Sequence, residues 1–245
     1  KMDKNWLERT ELLIKENGFE KLQNANLLVI GLGGVGSFAA EFLARAGVGN
    51  MTIVDGDVVD ITNINRQLPA LHSTVGKSKV ELVGERLLDI NPKLNLVQIN
   101  EFLNPERMGE VIDSQKFNYI LDCIDSVTPK ITLIKMAKRK RVKIVSCMGA
   151  GGKIDPAKVM VRDISKTYNC FLAKNVRKRL KKENINKGIR CVFSNEIQDE
   201  NSLKMTDGSN YKRSFYGTIS YIPALFGLYA ASEVIGYLLK DKVKI

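Results

Sequence analysis

The segment 27–67 constrains this chain more than any other. Leu27, Leu28, Val29 and Ile30 make a short, continuous apolar run, the form taken by a parallel strand buried on both faces. The run stops at Gly31, and glycines recur at Gly33, Gly34 and Gly36. A helix follows, with Phe38, Phe42, Leu43 and Ala46 on one face and Gly47 to close it. Glycine is needed in such a loop because the backbone must turn tightly and let a pyrophosphate approach. The phosphates then meet free N–H groups and the positive end of the helix dipole. A second strand over 51–54 delivers Asp55 at the distance where a ribose-binding carboxylate sits. Strand, loop, helix, strand and acid in this order predict a nucleotide-binding, Rossmann-like α/β unit with a mostly parallel sheet and flanking helices.

The residues after Asp55 narrow the chemistry. A dehydrogenase needs nothing special there, yet Asp57, Asp60, Asn63, Asn65, Arg66 and Gln67 come in quick succession. Polar groups beyond the carboxyl end of a strand lie where ligands bind in open α/β sheets. An arginine among them suits a triphosphate better than a nicotinamide ring. The next helix, over 75–90 with Val80, Leu82, Val83 and Leu87 inward, carries Lys77 and Lys79 in its first turn. Lysines there oppose the helix dipole, which points to an anion nearby.

Further strands are expected over 94–99, 119–124 and 142–148, with part of a helix at 108–114. The strand 119–124 ends at Asp125, beside the expected nucleotide crevice. That carboxylate serves either a ligand or the turn, in which Thr128 caps a helix beginning at Pro129. Asp122 lies within the strand. Lys138, Arg139, Lys140 and Arg141 end that helix, where cations pair with the dipole. A second glycine-rich turn follows at 149–152 and is expected to line the substrate side of the crevice.

From 167 to 182, Leu172, Val176 and Leu180 form an apolar stripe, while Lys174, Arg177, Lys178 and Lys181 project oppositely. The chain carries 38 Lys and Arg against 27 Asp and Glu, a net charge of +11. That balance favours an acidic partner, nucleic acid first, and makes the basic stripe either its contact or a solvated face. A strand at 190–194, a polar and mobile loop at 198–212 and a final helix at 222–239 complete the chain. The final helix is apolar nearly all round, which suits a core or a dimer interface. Pro223, Ser232 and Glu233 in the stretch 219–239 argue against a membrane span, and no signal peptide is recognisable. The four cysteines form no C-x-x-C, a usage that fits a reducing cytoplasm. His72, the only histidine, reads as a loop residue.

Taken together, G-x-G-G-V-G-S at 31–37, D-x-D-x-V at 55–59, N-x-N-R-Q at 63–67 and G-K-x-K at 76–79 resemble the E1-like adenylating superfamily of ThiF and MoeB proteins. Within it, R-T-E-L-L at 9–13, S-x-M-G-A-G-G-K-I-D-P at 146–156 and D-I-S-K-T at 163–167 resemble the branch of tRNA threonylcarbamoyladenosine dehydratases. The likeness runs over nearly the whole chain. It implies a helical segment at 1–25, an ATP-binding core at 26–160, and a part at 161–245 that serves the tRNA and the dimer within the same domain. By resemblance, Asp125 binds magnesium; Arg66, Lys79 and Asn63 hold the phosphates; Asp57 and Gln67 belong to the nucleotide site; Asp55 takes the ribose. Arg9, read alone, is a solvated helix charge; the resemblance makes it the arginine that enters the partner subunit's ATP site in a homodimer.

The implied reaction adenylates the threonyl carboxylate of N6-threonylcarbamoyladenosine in ANN-decoding tRNA with ATP and Mg2+, then closes a ring with loss of water. One departure concerns sulfur. Some relatives carry a cysteine near the C-terminal aromatic segment; residues 213–220 have none here, which puts a persulfide role or a desulfurase partner in doubt. The main rival is an adenylating enzyme for a ubiquitin-like sulfur carrier, disfavoured by the missing zinc cysteines and the basic helix. An NAD-dependent oxidoreductase is disfavoured by the 63–67 cluster and Lys79, and a binding module with a dead site by the full set of acids and cations.

Overall fold

A computed structural model of the chain describes residues 6–205 and 214–240. Five strands run parallel: β1 (Asn26–Ile30), β2 (Asn50–Val54), β3 (Asn95–Ile99), β4 (Tyr119–Asp122) and β5 (Lys143–Cys147); β1, β2, β4 and β5 are buried, and β3 is a largely exposed edge strand. Then β6 (Val159–Asp163) runs antiparallel to β7 (Arg190–Ser194), which pairs in parallel with β5. The order β3-β2-β1-β4-β5-β7-β6 reverses direction at β1, so the crevice between the carboxyl ends of β1 and β4 is the topological switch point.

Helices cover both faces. On one side lie α2 (Gly36–Arg45), α3 (Lys79–Ile90) and α7 (Tyr221–Leu239), around Leu27, Leu43, Ile53, Val83 and Phe226. On the other lie α4 (Pro105–Asp113), α5 (Val127–Arg139) and α6 (Phe171–Lys182), around Leu28, Met108, Ile120, Ile134 and Val176. The N-terminal α1 (Glu8–Gln23) is broken at Lys15, whose φ is 63°, into two helical pieces that lie against α7. Its apolar residues divide: Leu7 and Leu22 are buried, while Trp6, Leu12 and Leu13 face water.

The expected strands fall within two residues of expectation, but β6 was not anticipated, and several helix details differ: α3 begins at Lys79 behind Ser78, so Lys77 precedes it. The inward face of α2 is Ala39, Ala40, Leu43 and Ala44, whereas Phe38 and Phe42 are only half-buried. Close approach of the two helices is met from α7: a Cβ on Gly227 would lie 2.4 Å from the Val35 carbonyl oxygen and 3.1 Å from the Phe38 Cβ, so that position must be glycine. The two phenylalanines line a shallow apolar cavity of about 290 Å³ with Pro156, Tyr221, Leu225 and Leu228. Likewise α5 begins at Val127 behind Ser126, and Thr128 and Pro129 sit within its first turn. Proline is tolerated anywhere in that turn because those N–H groups have no partner within the helix. The segment 198–212 is not a plain loop, since Glu200–Ser202 is a 3-10 turn and β8 (Leu203–Met205) pairs with β9 (Ser214–Tyr216). The turn signal at residues 207–210 lies outside the described residues. By length and composition α7 could cross a membrane; here Ile222, Phe226, Ala230 and Val234 are buried against the sheet and α2.

Candidate nucleotide site

The glycine loop is shaped by contacts that no side chain could replace. Gly31 has φ +90°, and a Cβ there would lie 2.9 Å from the Cys123 carbonyl oxygen. A Cβ on Gly36 would lie 1.7 Å from the Gly31 oxygen, and one on Gly34 would meet Pro223 Cβ at 2.9 Å and the Arg66 oxygen at 3.0 Å. Gly33 is the least crowded, with the Gln67 amide nitrogen at 3.5 Å. The loop therefore touches β4, the 63–67 segment and the start of α7 at once. No side chain caps α2; the Ser37 N–H donates to the Gly33 carbonyl at 3.3 Å, and an anion is the natural partner for the other uncapped N–H groups of a helix start.

Asp55 is the brace of this loop. Its Oδ2 accepts from the Leu32 N–H at 2.6 Å and its Oδ1 from the Asp57 N–H at 2.8 Å. Burial pushes its carboxyl above the usual range, opposed by those two N–H bonds and the Lys79 charge. Asp57 Oδ2 holds the buried Lys79 Nζ at 3.0 Å, and the Lys79 N–H donates to the Asp57 carbonyl at 3.1 Å. Asn63 Oδ1 accepts from the Asp60 N–H at 3.1 Å in a reciprocal cap with the Asp60 side chain. That leaves the Asn63 amide N–H groups as its donors toward a phosphate.

Arg66 is half-buried, and its Nη1 donates to the Thr62 carbonyl at 3.0 Å and Asn65 Oδ1 at 2.9 Å. Burial draws its guanidinium below the ordinary value while the nearby charge of Asp125 opposes this. Asn65 Nδ2 in turn donates to the Thr218 carbonyl at 2.9 Å, tying the segment to the stretch before α7. Gln67 Oε1 is buried beside the glycine loop and has no hydrogen-bond partner. A buried acceptor left in this way is costly in a finished core and fits a place completed by a ligand.

Asp125 is exposed just beyond β4 and accepts from Ser126 Oγ at 3.3 Å. What positions it was only half legible in the sequence. Asp122 and Lys130 are wholly buried and paired at 2.8 Å. Lys130 Nζ also reaches Ser146 Oγ at 3.3 Å and the Cys147 carbonyl at 2.9 Å, while Ser146 Oγ donates to Asp122 Oδ2 at 2.6 Å. Asp122 Oδ1 accepts from the Ile124 N–H at 3.1 Å, which fixes the turn that carries Asp125. Lys130 and Ser146 went unassigned from sequence; the signal was a lysine next to Ile131, Leu133 and Ile134 on a buried helix face.

The second glycine turn is braced similarly. Gly152 has φ +70°, and the buried Lys153 donates from Nζ to the Ser194 carbonyl at 3.2 Å and the Glu196 carbonyl at 2.5 Å. Burial draws the Lys153 ammonium below its ordinary value. The Glu196 carboxylate accepts from the Ile154 and Asp155 N–H groups.

Two sets of expected site residues stand apart. Arg9 is exposed on α1, two residues from Leu7, which packs against Gly47 at the far end of α2 from the glycine loop. It therefore belongs to no part of its own chain's crevice. On α6, Lys174, Lys178 and Lys181 are exposed, but Arg177 does not project freely with them. It is half-buried and donates to both the carbonyl (2.8 Å) and the hydroxyl of Thr167, because the chain entering α6 folds back within reach of its guanidinium. Arg179 Nη1 instead reaches Thr128 Oγ1 at 3.0 Å, which places α6 against the start of α5, three residues beyond Asp125.

A switch-point crevice with a glycine cradle, a buried lysine, and an arginine facing a carboxylate defines an E1-like adenylation fold. The chain belongs to the ThiF family, whose model matches residues 7–245. It is 40% identical over 240 residues to the tRNA threonylcarbamoyladenosine dehydratase of Bacillus subtilis (strain 168), covering 95% of this chain and 94% of that one. The crystal structure of Escherichia coli tRNA N6-threonylcarbamoyladenosine dehydratase in complex with ATP superposes with a TM-score of 0.86 at 35% identity, over 98% of both chains. A molybdopterin-synthase adenylyltransferase from Haemophilus influenzae is 34% identical over 159 residues, 62% of this chain and 65% of that one.

Proposed function

We propose that this chain is an ATP-dependent dehydratase that converts N6-threonylcarbamoyladenosine in tRNA to its cyclic form through an acyl-adenylate. The observation that carries the reading is the extent of the likeness. Similarity to the Bacillus subtilis dehydratase spans 95% of this chain, whereas similarity to the molybdopterin-synthase adenylyltransferase of Haemophilus influenzae covers 62%. The site's own chemistry fits ATP: a cradle in which a Cβ at Gly31, Gly34 or Gly36 would clash, an unpartnered Gln67 oxygen, and the cations Arg66 and Lys79.

The threonyl carboxylate attacks the α-phosphorus and pyrophosphate leaves. A nucleophile of the same nucleoside then attacks the acyl carbon and AMP leaves, so the protein need supply no thiol. The role of the protein is to hold the groups in line and to neutralise charge that grows on the phosphate oxygens. Arg66, Lys79 and the Asn63 amide bind those oxygens; Asp55 orients the ribose through its remaining lone pairs. Among the described residues no group of three or more His, Cys, Asp or Glu could cage a metal. Asp125 is the residue that would hold magnesium, which would offset charge on the phosphates. Arg9, which serves no site of its own chain, completes the partner's site in a homodimer.

The test is mass spectrometry of nucleosides from tRNA bearing threonylcarbamoyladenosine, incubated with the protein, ATP and magnesium. The expected result is a nucleoside lighter by one water, formed only with ATP. An unchanged nucleoside, with AMP transferred to a carrier protein's C-terminal carboxylate instead, overturns the reading.

A further inference from the structure

The entrance to α6 carries two aromatic residues that the site does not use. Tyr168 is 48% exposed and Phe171 49% exposed, three residues apart where the chain turns into the helix. Tyr168 is held at both ends. Its ring packs edge-on against Phe193 at 5.8 Å between centroids, and its hydroxyl accepts from Asn195 Nδ2 at 2.8 Å. Phe171 opens α6, and its N–H donates to Gln198 Oε1 at 3.4 Å. The same Gln198 side chain donates to the Gly151 carbonyl at 3.1 Å, so one residue links the phenylalanine to the second glycine turn. The start of α6 is thus tied to the second glycine turn, which follows the carboxyl end of β5.

From Phe171 the exposed face of α6 continues through Lys174, Lys178 and Lys182, at i+3, i+7 and i+11. Those spacings put one aromatic ring and three ammonium groups in a single row. None of the three lysines makes a salt bridge among the described residues, unlike Lys135 with Glu183 and Lys140 with Asp113 nearby. Scattered surface aromatics need no explanation. A ring fixed by its hydroxyl, a second exposed ring three residues on at the helix start, and an unpaired cationic row that continues from it are a different arrangement. Every base has a π-face, and proteins that take unpaired nucleic acid combine aromatic platforms with a cationic track for the backbone.

We propose that Tyr168 and Phe171 are a stacking platform for unpaired bases of the RNA loop next to the modified nucleoside, with Lys174, Lys178 and Lys182 following its phosphates. The proposal rests on the tRNA reading above and adds which part of the RNA is gripped and by what. A platform of this kind explains how an enzyme acting on one nucleoside of a loop can hold that loop open beside its crevice. It also makes these residues positioning residues, since they touch the flanking bases and not the reacting carboxylate.

The test compares Tyr168→Ala/Phe171→Ala with Lys174→Gln/Lys178→Gln, using a synthetic anticodon stem-loop that carries threonylcarbamoyladenosine and 2-aminopurine in its loop. Loss of the aromatics should weaken binding about 5- to 150-fold per stacked base and abolish the 2-aminopurine quenching, with an unchanged salt slope. Loss of the lysines should flatten the slope of log affinity on log salt by roughly 0.7–0.9 per contact and leave quenching at saturation intact. Phe171→Trp should retain affinity, and ATP-induced thermal stabilisation should match wild type in all variants, which reports the fold. If wild type converts the stem-loop and the aromatic double variant binds it equally well with full quenching, the platform is overturned and the tRNA reading stands. If wild type neither binds nor converts it, the tRNA reading falls and the platform with it.

Discussion

Lys130→Met tests whether the buried Asp122–Lys130 pair is what sets the turn carrying Asp125. Both side chains are fully buried, and Lys130 Nζ supplies bonds at 2.8, 2.9 and 3.3 Å to Asp122, the Cys147 carbonyl and Ser146. Methionine matches the stem of lysine, so the variant leaves little cavity and isolates the electrostatic effect. It strands the Asp122 carboxylate with only Ser146 and the Ile124 N–H as donors. Breaking one side of a buried pair costs about 3–5 kcal/mol. For a chain of this size that is a fall of roughly 6–20 °C in Tm, taking about 2–4 °C per kcal/mol. Asp122→Asn alone should cost as much, since it strands the ammonium. The double variant should recover most of the sum, because two neutral residues leave no buried charge and lose only hydrogen bonds of about 1 kcal/mol each. Equilibrium urea unfolding of the four proteins measures the cycle. A cost below about 1 kcal/mol for Lys130→Met, or additive single costs, would refute the argument that burial makes this pair interdependent.

Other outcomes follow from the site. Asp125→Asn, which keeps size and hydrogen bonding, should lower ATP-dependent AMP release by about 10²–10³-fold with an unchanged Tm; near wild-type turnover would return Asp125 to a turn residue. Mixing Arg9→Ala subunits with Asp125→Asn subunits should restore one competent site per heterodimer, and heterodimers without activity would show that Arg9 does not work across the interface. Glu41, buried between Arg86 and Arg45 at 2.5 and 2.8 Å, is held below its ordinary value: burial raises it, but the two guanidinium groups outweigh that. Its stabilisation is therefore present above the ordinary carboxylate value and lost as pH falls through the lowered one. Because both arginines are half exposed, Glu41→Gln should cost only about 1 kcal/mol at neutral pH, and the difference should vanish on acidification.

The central strands were legible because both faces of the sheet are covered there, so each had to be a continuous apolar run, whereas the edge strand β6 carries no such signal. The glycine loop was legible for a related reason: Gly31, Gly34 and Gly36 leave no room for a Cβ, and only glycine satisfies that constraint. Helix faces were harder to read. The pattern on α2 marked Phe38 and Phe42 as inward, but they are half-buried at the margin of its contact with α7, and no local period encodes where a neighbouring helix lies. Polar pairings were hidden for the same reason. Asp122, Lys130 and Ser146 stand on two strands and a helix, and each alone looks like an exception to its own apolar segment. Arg177 shared the period of the lysines but not their fate, because its acceptor lies ten residues back in a loop. The charges at the crevice show why such pairings bear on function. Lys79 is held by Asp57, and Arg66 by Asn65 and Thr62, so both cations are aimed by fixed acceptors. Under the proposed assignment of these residues to the phosphates, ATP would meet donors whose orientation is set before it arrives, and that preorganisation, more than the number of charges, is what electrostatic catalysis draws on.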